Sequence, residues 1–494
     1  MARALIFSLC LISLLFNLSI AQLELSQQQL FQNLQNQQQH RLRAKTSCSI
    51  QQINARKPSR RVEYEAGSAE FWDPNSEEFE CAGIEFARHT IQPKGLMLPY
   101  YTNAPQLIYI IQGSGIQGNV IPGCAETYES GSSSSYGSER EQGEERRSSG
   151  DRHQKLRRFK QGDILALKPG ITHWAYNDGE NPIISVSIRD VANEANQLDL
   201  KFRKFFLAGN PQASRQGRQE ERRPESHKSR EEEYRRGKEQ EERQQQDESN
   251  NILSGFDQEF LAQALNINSE TVRKIQGRDD NRGAVVRAER LRLVLPEQEE
   301  RQQQRREGGG YDDNGLEETF CSINIRQNID NPNKADVYNP RAGRVTRLNS
   351  QKLPILNYLR LSADRGVLYK NALMAPHWSV NSHTITYVTR GSARIQVVGN
   401  QGNTVFDDEV REGQLLVVPQ NFAVVKKANE QGFEWVAFRT NDNAMIGQLA
   451  GRLSAFRDMP EEVVMNSFGV SRKEARNLKY NREETTLLSP GSNA

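Results

Sequence analysis

Short runs rich in β-branched and aromatic residues, bounded by Gly, Pro or Asn, punctuate the chain and predict strands. The first half carries Gln106–Gln112 (QLIYIIQ), Asp163–Leu167 (DILAL) and Ile183–Ile188 (IISVSI). The second half carries Thr384–Thr389 (TITYVT), Ala393–Val398 (ARIQVV), Gln414–Val418 (QLLVV) and Trp435–Thr440 (WVAFRT). Many short strands with turn residues between them predict barrels or sandwiches. Helical spacing follows each set. Phe256, Phe260, Leu261 and Leu265, then Val272 and Ile275, predict apolar stripes that bury against a neighbour. Near the C-terminus, Ser471 and Glu474 have capping-box spacing ahead of Ala475 and Leu478.

These patterns repeat. Leu96-Met97-Leu98-Pro99-Tyr100-Tyr101 matches Leu373-Met374-Ala375-Pro376-His377-Trp378. Each is followed by a strand ending in Gly-Ser, at Gly113-Ser114 and Gly391-Ser392. Gly162-Asp163-Ile164-Leu165 matches Gly413-Gln414-Leu415-Leu416, and Leu265-Asn266-Ile267-Asn268 matches Phe468-Gly469-Val470-Ser471. A repeat on this scale predicts two copies of one unit, each a β-barrel followed by a helical extension.

Polar segments separate the units. Residues 22–45 are a Gln-rich, mobile N-terminus with nine Gln between Gln22 and Gln39. The first barrel is placed at 46–210, with a polar insert at about 125–158. A charged insert at 211–250 has no apolar stripe and is read as disordered. A helical extension spans 251–296, and a third polar insert spans 297–314. The second barrel follows at 315–441, then a helical extension and C-terminal tail at 442–494.

The first 21 residues read as a cleaved signal peptide: Arg3, an apolar run from Ala4 to Leu18, and small residues at Ser19 and Ala21. Cleavage between Ala21 and Gln22 removes Cys10 and leaves Cys48, Cys81, Cys124 and Cys321. An even number of Cys in a secreted chain predicts two disulfides, with three possible connectivities. The mature chain has no Asn-x-Ser/Thr sequon. Across 494 residues, 65 Lys and Arg face 63 Asp and Glu, a net charge of +2. That balance argues against a nucleic-acid binder. No long apolar run follows the signal, so no membrane span is expected after its removal.

At these residues the sequence resembles the cupin superfamily, and within it the legumin-type 11S seed storage globulins. The resemblance rests on Glu63–Pro74 (EYEAGSAEFWDP), the paired Gly-Ser turns, Pro169–Gly179 (PGITHWAYNDG) and, most specifically, Asn314–Ser322 (NGLEETFCS). It implies a mainly β fold of two jelly-roll cupin barrels. It implies a nutrient-reservoir precursor sent through the secretory pathway to a protein storage vacuole. It also implies cleavage between Asn314 and Gly315 by an asparaginyl endopeptidase. The pairs Cys48–Cys81 and Cys124–Cys321 are those the resemblance implies, the second joining the two chains. Trimers of precursor and hexamers of the cut protein are implied as homo-oligomers. The segment Gly315–Ala494 holds 22 Lys and Arg against 18 Asp and Glu, leaving about −3 for Gln22–Asn314. A basic and a mildly acidic chain would result.

Catalytic cupins hold a metal with two His spaced by one residue, a Glu and a third His. None of the seven His (His40, His89, His153, His173, His227, His377, His383) has that spacing. In the second unit His377 falls at the first ligand position, with Ser379, Thr384 and Val424 at the others. In the first, Tyr100, Thr102 and Leu107 replace three ligands and only His173 is kept. One ligand per barrel does not build a metal site, so neither metal nor cofactor is expected and the chain is read as no enzyme. Gly113–Gly118 fits GxGxxG, but no helix pattern follows, so it is read as a barrel turn. Tyr100, Tyr101, His173 and Trp174 are the residues that would line a small-ligand site in a barrel. For a reserve, abundant Gln, Asn and Arg nitrogen is itself the useful property.

Overall fold

The computed structural model describes residues 48, 50–126, 128–129, 152–211, 251–289, 291, 293 and 321–490. The signal peptide, the Gln-rich N-terminus and the insert at 297–314 with the Asn314–Gly315 bond lie outside them. So does the charged insert beyond its first residue. The described residues form two antiparallel jelly-roll barrels, each followed by a helical extension. One sheet of the first barrel runs in the order Arg60–Tyr64, Gly67–Phe71, Ile84–Ile91, Ile183–Asp190, Gln106–Gln112, Asp163–Leu167, Arg326–Asn328. Its second sheet runs Lys204–Phe206, Gly95–Thr102, Thr172–Tyr176, Ser114–Val120, Leu156–Lys160. Leu156–Lys160 begins inside the stretch assigned to the polar insert; Leu156 and Phe159, three apart and so on opposite faces of the strand, are both buried.

The second barrel is one ten-stranded sheet that wraps on itself. Its strands Thr384–Val398 and Ala423–Arg439 are 15 and 17 residues long and pass from one side of the barrel to the other. The two runs expected at 384–389 and 393–398 are therefore one strand. It bends at Gly391, where φ is +72° and a Cβ would stand 2.2 Å from the Gly432 carbonyl. At the matching Gly113 (φ +87°) the first barrel breaks into two strands instead.

Strand alternation gives each barrel two apolar faces. Ile91, Ile110, Phe159, Leu165 and Ile183 fill the first interior. Met374, Val388, Ile395, Val410 and Trp435 fill the second. The opposite faces form a shared core between the barrels, including Trp72, Phe86, Leu107, Tyr387 and Phe438. There the Phe86 ring stacks on Tyr387 and meets Phe438 edge-on, with centroids 5.8 and 6.0 Å apart.

The boundaries near 46 and 315 do not divide the barrels where the sequence placed them. Ile50 and Ile53 are buried in the core of the second barrel. Ile53 N–H donates to Val405 O (3.0 Å), and Arg56 and Leu415 exchange backbone hydrogen bonds of 2.8 and 2.9 Å. In return, Arg326–Asn328 pairs with Asp163–Leu167 and ends the sheet of the first barrel. Ile329 N–H donates to Gly162 O (2.9 Å) and Ala166 N–H to Ile325 O (2.8 Å). Each half thus covers an open edge of the other half's sheet.

Both extensions are helix pairs that also return strands. Gln258–Leu265 and Ser269–Ile275 are capped by Asp257 and Asn268, and Val285–Arg287 then pairs with Gly95–Thr102. Glu461–Phe468 and Arg472–Tyr480 form the second pair, with the Ser471–Glu474 capping box in place. Leu487–Leu488 then pairs with Leu373–Ser379. Leu261, Val272, Val464 and Ala475 are buried, while Phe260 is 73% exposed and Phe256, Leu265, Phe468 and Leu478 are also exposed on the single chain.

Candidate functional site

The barrel interiors are where a cupin would do chemistry. In the second barrel His377 is buried on the strand Leu373–Ser379. Its Nδ1 lies 2.8 Å from the Ala375 carbonyl, so the proton sits on Nδ1. Burial, followed by the charge of Lys426, lowers its pKa to about 3. Ser379 and Thr384 do not turn toward it as ligands. They share a hydrogen bond of 2.8 Å, and Arg439 Nη1 donates to both, at 3.0 and 3.2 Å. Arg439 is held in turn by Asp364, through Nε at 2.7 Å. Val424 is an apolar wall residue.

Lys426, two residues on from Val424, points into the same barrel. Its ammonium lies 4.8 Å from the Trp435 ring centre and 3.5 Å from Thr386 Oγ1. Burial and the nearby Arg439 lower its pKa to about 7. A metal cation placed beside His377 would meet Lys426 and Arg439 at close range, and would gain one neutral nitrogen as ligand. The residues present do not fit a metal. Among the described residues no cluster of three His, Cys, Asp or Glu side chains could hold one.

The first barrel repeats the theme with different residues. His173 packs on Tyr100, with ring centroids 4.0 Å apart, and its Nδ1 faces Ile171 O at 3.3 Å. Burial lowers the His173 pKa to about 3 and raises that of Tyr100 to about 12. Thr102 Oγ1 donates to Ala104 O at 2.9 Å. Leu107, matched above to a ligand position, points away into the core between the barrels. Gln106 is the interior residue there instead, because a one-residue error in register reverses the face of a strand. Of the ligand-lining set, Tyr100, His173 and Trp174 border a cavity of about 40 Å³. Tyr101 stacks on Phe205 outside it, with centroids 5.0 Å apart. Trp174 lies flat over Gly118, where a Cβ would come within 2.4 Å of the indole. Gly113–Gly118 is a turn and the start of the strand Ser114–Val120.

Lys426, Arg439 with Asp364, and Gln106 were not picked out from the sequence. The one available signal was a lysine at an apolar phase of Ala423–Arg439, between Val424 and Ala428.

The structure joins Cys48 to Cys81 and Cys124 to Cys321, with Cα atoms 4.9 and 5.6 Å apart. Beside the second bond is a mostly apolar cavity of about 320 Å³. Ile121, Leu167, Ile323 and Ile355 line it, with Lys168 and His173 among its polar groups. Lys168 is half-buried and its pKa is lowered by that burial.

The cupin family model matches residues 53–213 and 327–476. The 11S globulin seed storage protein 1 of Carya illinoinensis is 51% identical over 473 residues, 91% of each chain. A recombinant pro-11S globulin of pumpkin has a similar structure, at TM-score 0.73 and 43% identity, over 90% of this chain and all of that one. So has an 11S globulin of Wrightia tinctoria whose structure is described as revealing an auxin binding site. It has TM-score 0.75 and 40% identity, over 90% of this chain and 96% of that one.

Proposed function

This chain belongs to the 11S seed storage globulins of the cupin family, and we propose that it is a nitrogen and amino-acid reserve laid down in seed as a processed oligomer. It is not an enzyme. The observation that carries the reading is the use of the second barrel's interior. The positions where cupin chemistry needs ligands hold a neutral His377 and a Ser–Thr pair bonded to Arg439. Polar groups already paired inside a core serve the fold.

The precursor loses residues 1–21 between Ala21 and Gln22, and travels to the protein storage vacuole. An asparaginyl endopeptidase cuts it between Asn314 and Gly315. The acidic and basic chains stay joined by Cys124–Cys321 and by the exchanged segments 50–56 and 323–329. Precursors form trimers, each helical extension covering its exposed Phe256, Phe260 and Leu265 on the next subunit, because apolar patches of this kind mark interfaces. Cutting frees the insert at 297–314 from its C-terminal anchor, uncovers a trimer face, and two trimers stack as a hexamer. No nucleic acid, metal or membrane takes part.

Native mass before and after endopeptidase digestion, with reducing and non-reducing gels, tests this. Trimers that become hexamers, with two chains separable only under denaturing reduction, are expected. Hexamers formed by protease-treated Asn314→Gln would defeat the uncovering step, and a persistent uncut monomer would defeat the whole reading.

A second reading concerns the cavity beside Cys124–Cys321. Its apolar walls and Lys168 suit a small aromatic carboxylic acid, the chemical class of an auxin. Calorimetric titration with indole-3-acetic acid, on the wild type and Lys168→Met, would detect it. Equal heats from both proteins would remove it.

A further inference from the structure

We propose that the first barrel binds one small monovalent anion, of the size of chloride or nitrate, between Arg189 and Gln106. Arg189 lies on the strand Ile183–Asp190, on the same face as Ser185 and Ser187, and is 0% exposed. None of its guanidinium nitrogens has a hydrogen-bond partner. Its ion pair with Glu85 is 3.7 Å long, beyond hydrogen-bond reach, and the other Glu85 oxygen accepts from Phe202 N–H at 2.8 Å. The guanidinium is otherwise faced by the rings of Phe202 and Phe71, 4.3 and 5.5 Å away. Aromatic faces attract a cation but offer no acceptor for five N–H groups. Burying a guanidinium without acceptors is among the least favourable arrangements a core can contain.

A second cation stands at the same end of the barrel. Lys204 Nζ lies 4.9 Å from the Tyr100 ring centre and 3.3 Å from His89 Nε2. His89 is held neutral by burial and by these two cations. Next to them is the 40 Å³ cavity, whose polar lining includes His89, Tyr100, Gln106, His173, Ser185 and Ser187; Arg189 does not line it, and Gln106 is the group between the two. Gln106 pairs across the sheet with Arg189. Gln106 Nε2 is buried without a hydrogen-bond partner. A water needs about 10–15 Å³ of such space. The cavity therefore admits a monatomic or small planar anion with a water beside it, and is too small for a nucleotide or sugar. Glu85 already offsets one positive charge, so the site favours a single negative charge over sulfate or phosphate. This site stands whether or not the chain is cut at Asn314.

The test uses the full-length protein dialysed into a gluconate buffer. Chloride is added and followed by its NMR line width. Saturable broadening, reversed by nitrate and not by sulfate, is expected. Gln106→Leu leaves the packing of Arg189 in place and should weaken binding about tenfold or more, the loss of one hydrogen bond to a charged acceptor. Arg189→Met should abolish it. Crystals grown with bromide should show one anomalous peak between Gln106 Nε2 and Arg189. Equal broadening in wild type and Gln106→Leu overturns the proposal, as does a cavity filled by water alone in the bromide crystals.

Discussion

Truncating Ile53 should weaken the hold of one half of the cut chain on the other. Ile53 precedes the processing bond, yet it is 1% exposed within the core of the second barrel. Replacing it with Ala removes its methyl groups from a packed site and leaves a cavity, a loss of about 2–5 kcal/mol. In the uncut chain that loss lowers folding stability. After cleavage at Asn314 and reduction of Cys124–Cys321, the same loss falls on the affinity between two chains. It amounts to about 30-fold to about 4,000-fold in Kd. The assay is size-exclusion chromatography of cut, reduced protein in graded urea, with equally reduced wild type as reference, since reduction also opens Cys48–Cys81. Chain separation of Ile53→Ala should come at clearly lower urea. Ile329→Ala, the reciprocal contact in the first half, should shift it in the same direction. Val120→Ala, on a half-exposed residue, should not. If Ile53→Ala and wild type separated at the same urea concentration, the exchanged segments would not be what holds the halves together.

Acid should weaken the fold through its two barrel histidines. His173 and His377 have pKa values near 3 when folded, against about 6.5 unfolded. Below about pH 6.5 the unfolded chain takes up protons that the folded chain refuses, so this stability is complete above that pH and is lost toward pH 3. Urea midpoints at pH 7 and pH 4 measure it, and His377→Gln should reduce the slope. Arg439→Met alone should cost about 3–5 kcal/mol by leaving Asp364 buried and unpaired, whereas Arg439→Met with Asp364→Leu should recover most of the loss; a denaturation cycle reads the difference. Lys426→Met should raise Tm at pH 7. The folded pKa of Lys426 is about 7 against about 10.4 unfolded, so the wild type gains stability as pH rises through that window and the gap should close near pH 10.

Much of the architecture was legible because it depends on local chemistry. Apolar runs between Gly, Pro and Asn marked strands at Gln106–Gln112 and Asp163–Leu167. Ser471 and Glu474 marked a helix start with no need of distant partners. The paired Gly-Ser turns and the doubled Leu-Met-x-Pro motif revealed two units, since equal folds need equal turns. The missing second histidine beside His377 was enough to argue against a metal centre.

Tertiary structure decided what depends on register and on long-range pairing. Whether Gln106 or Leu107 faces the first interior turns on a single residue of strand phase, and counting forward from Tyr100 gave the wrong one. Lys426 and Arg189 carried no assigned role in the sequence, and closure of the barrels is what turned their strand faces inward. The ownership of residues 50–56 and 323–329 could not be read from neighbours in the chain, because each segment is stabilised by an open sheet edge belonging to the opposite half. Sequence proximity assigned them to one barrel, and hydrogen bonds made across the molecule assigned them to the other.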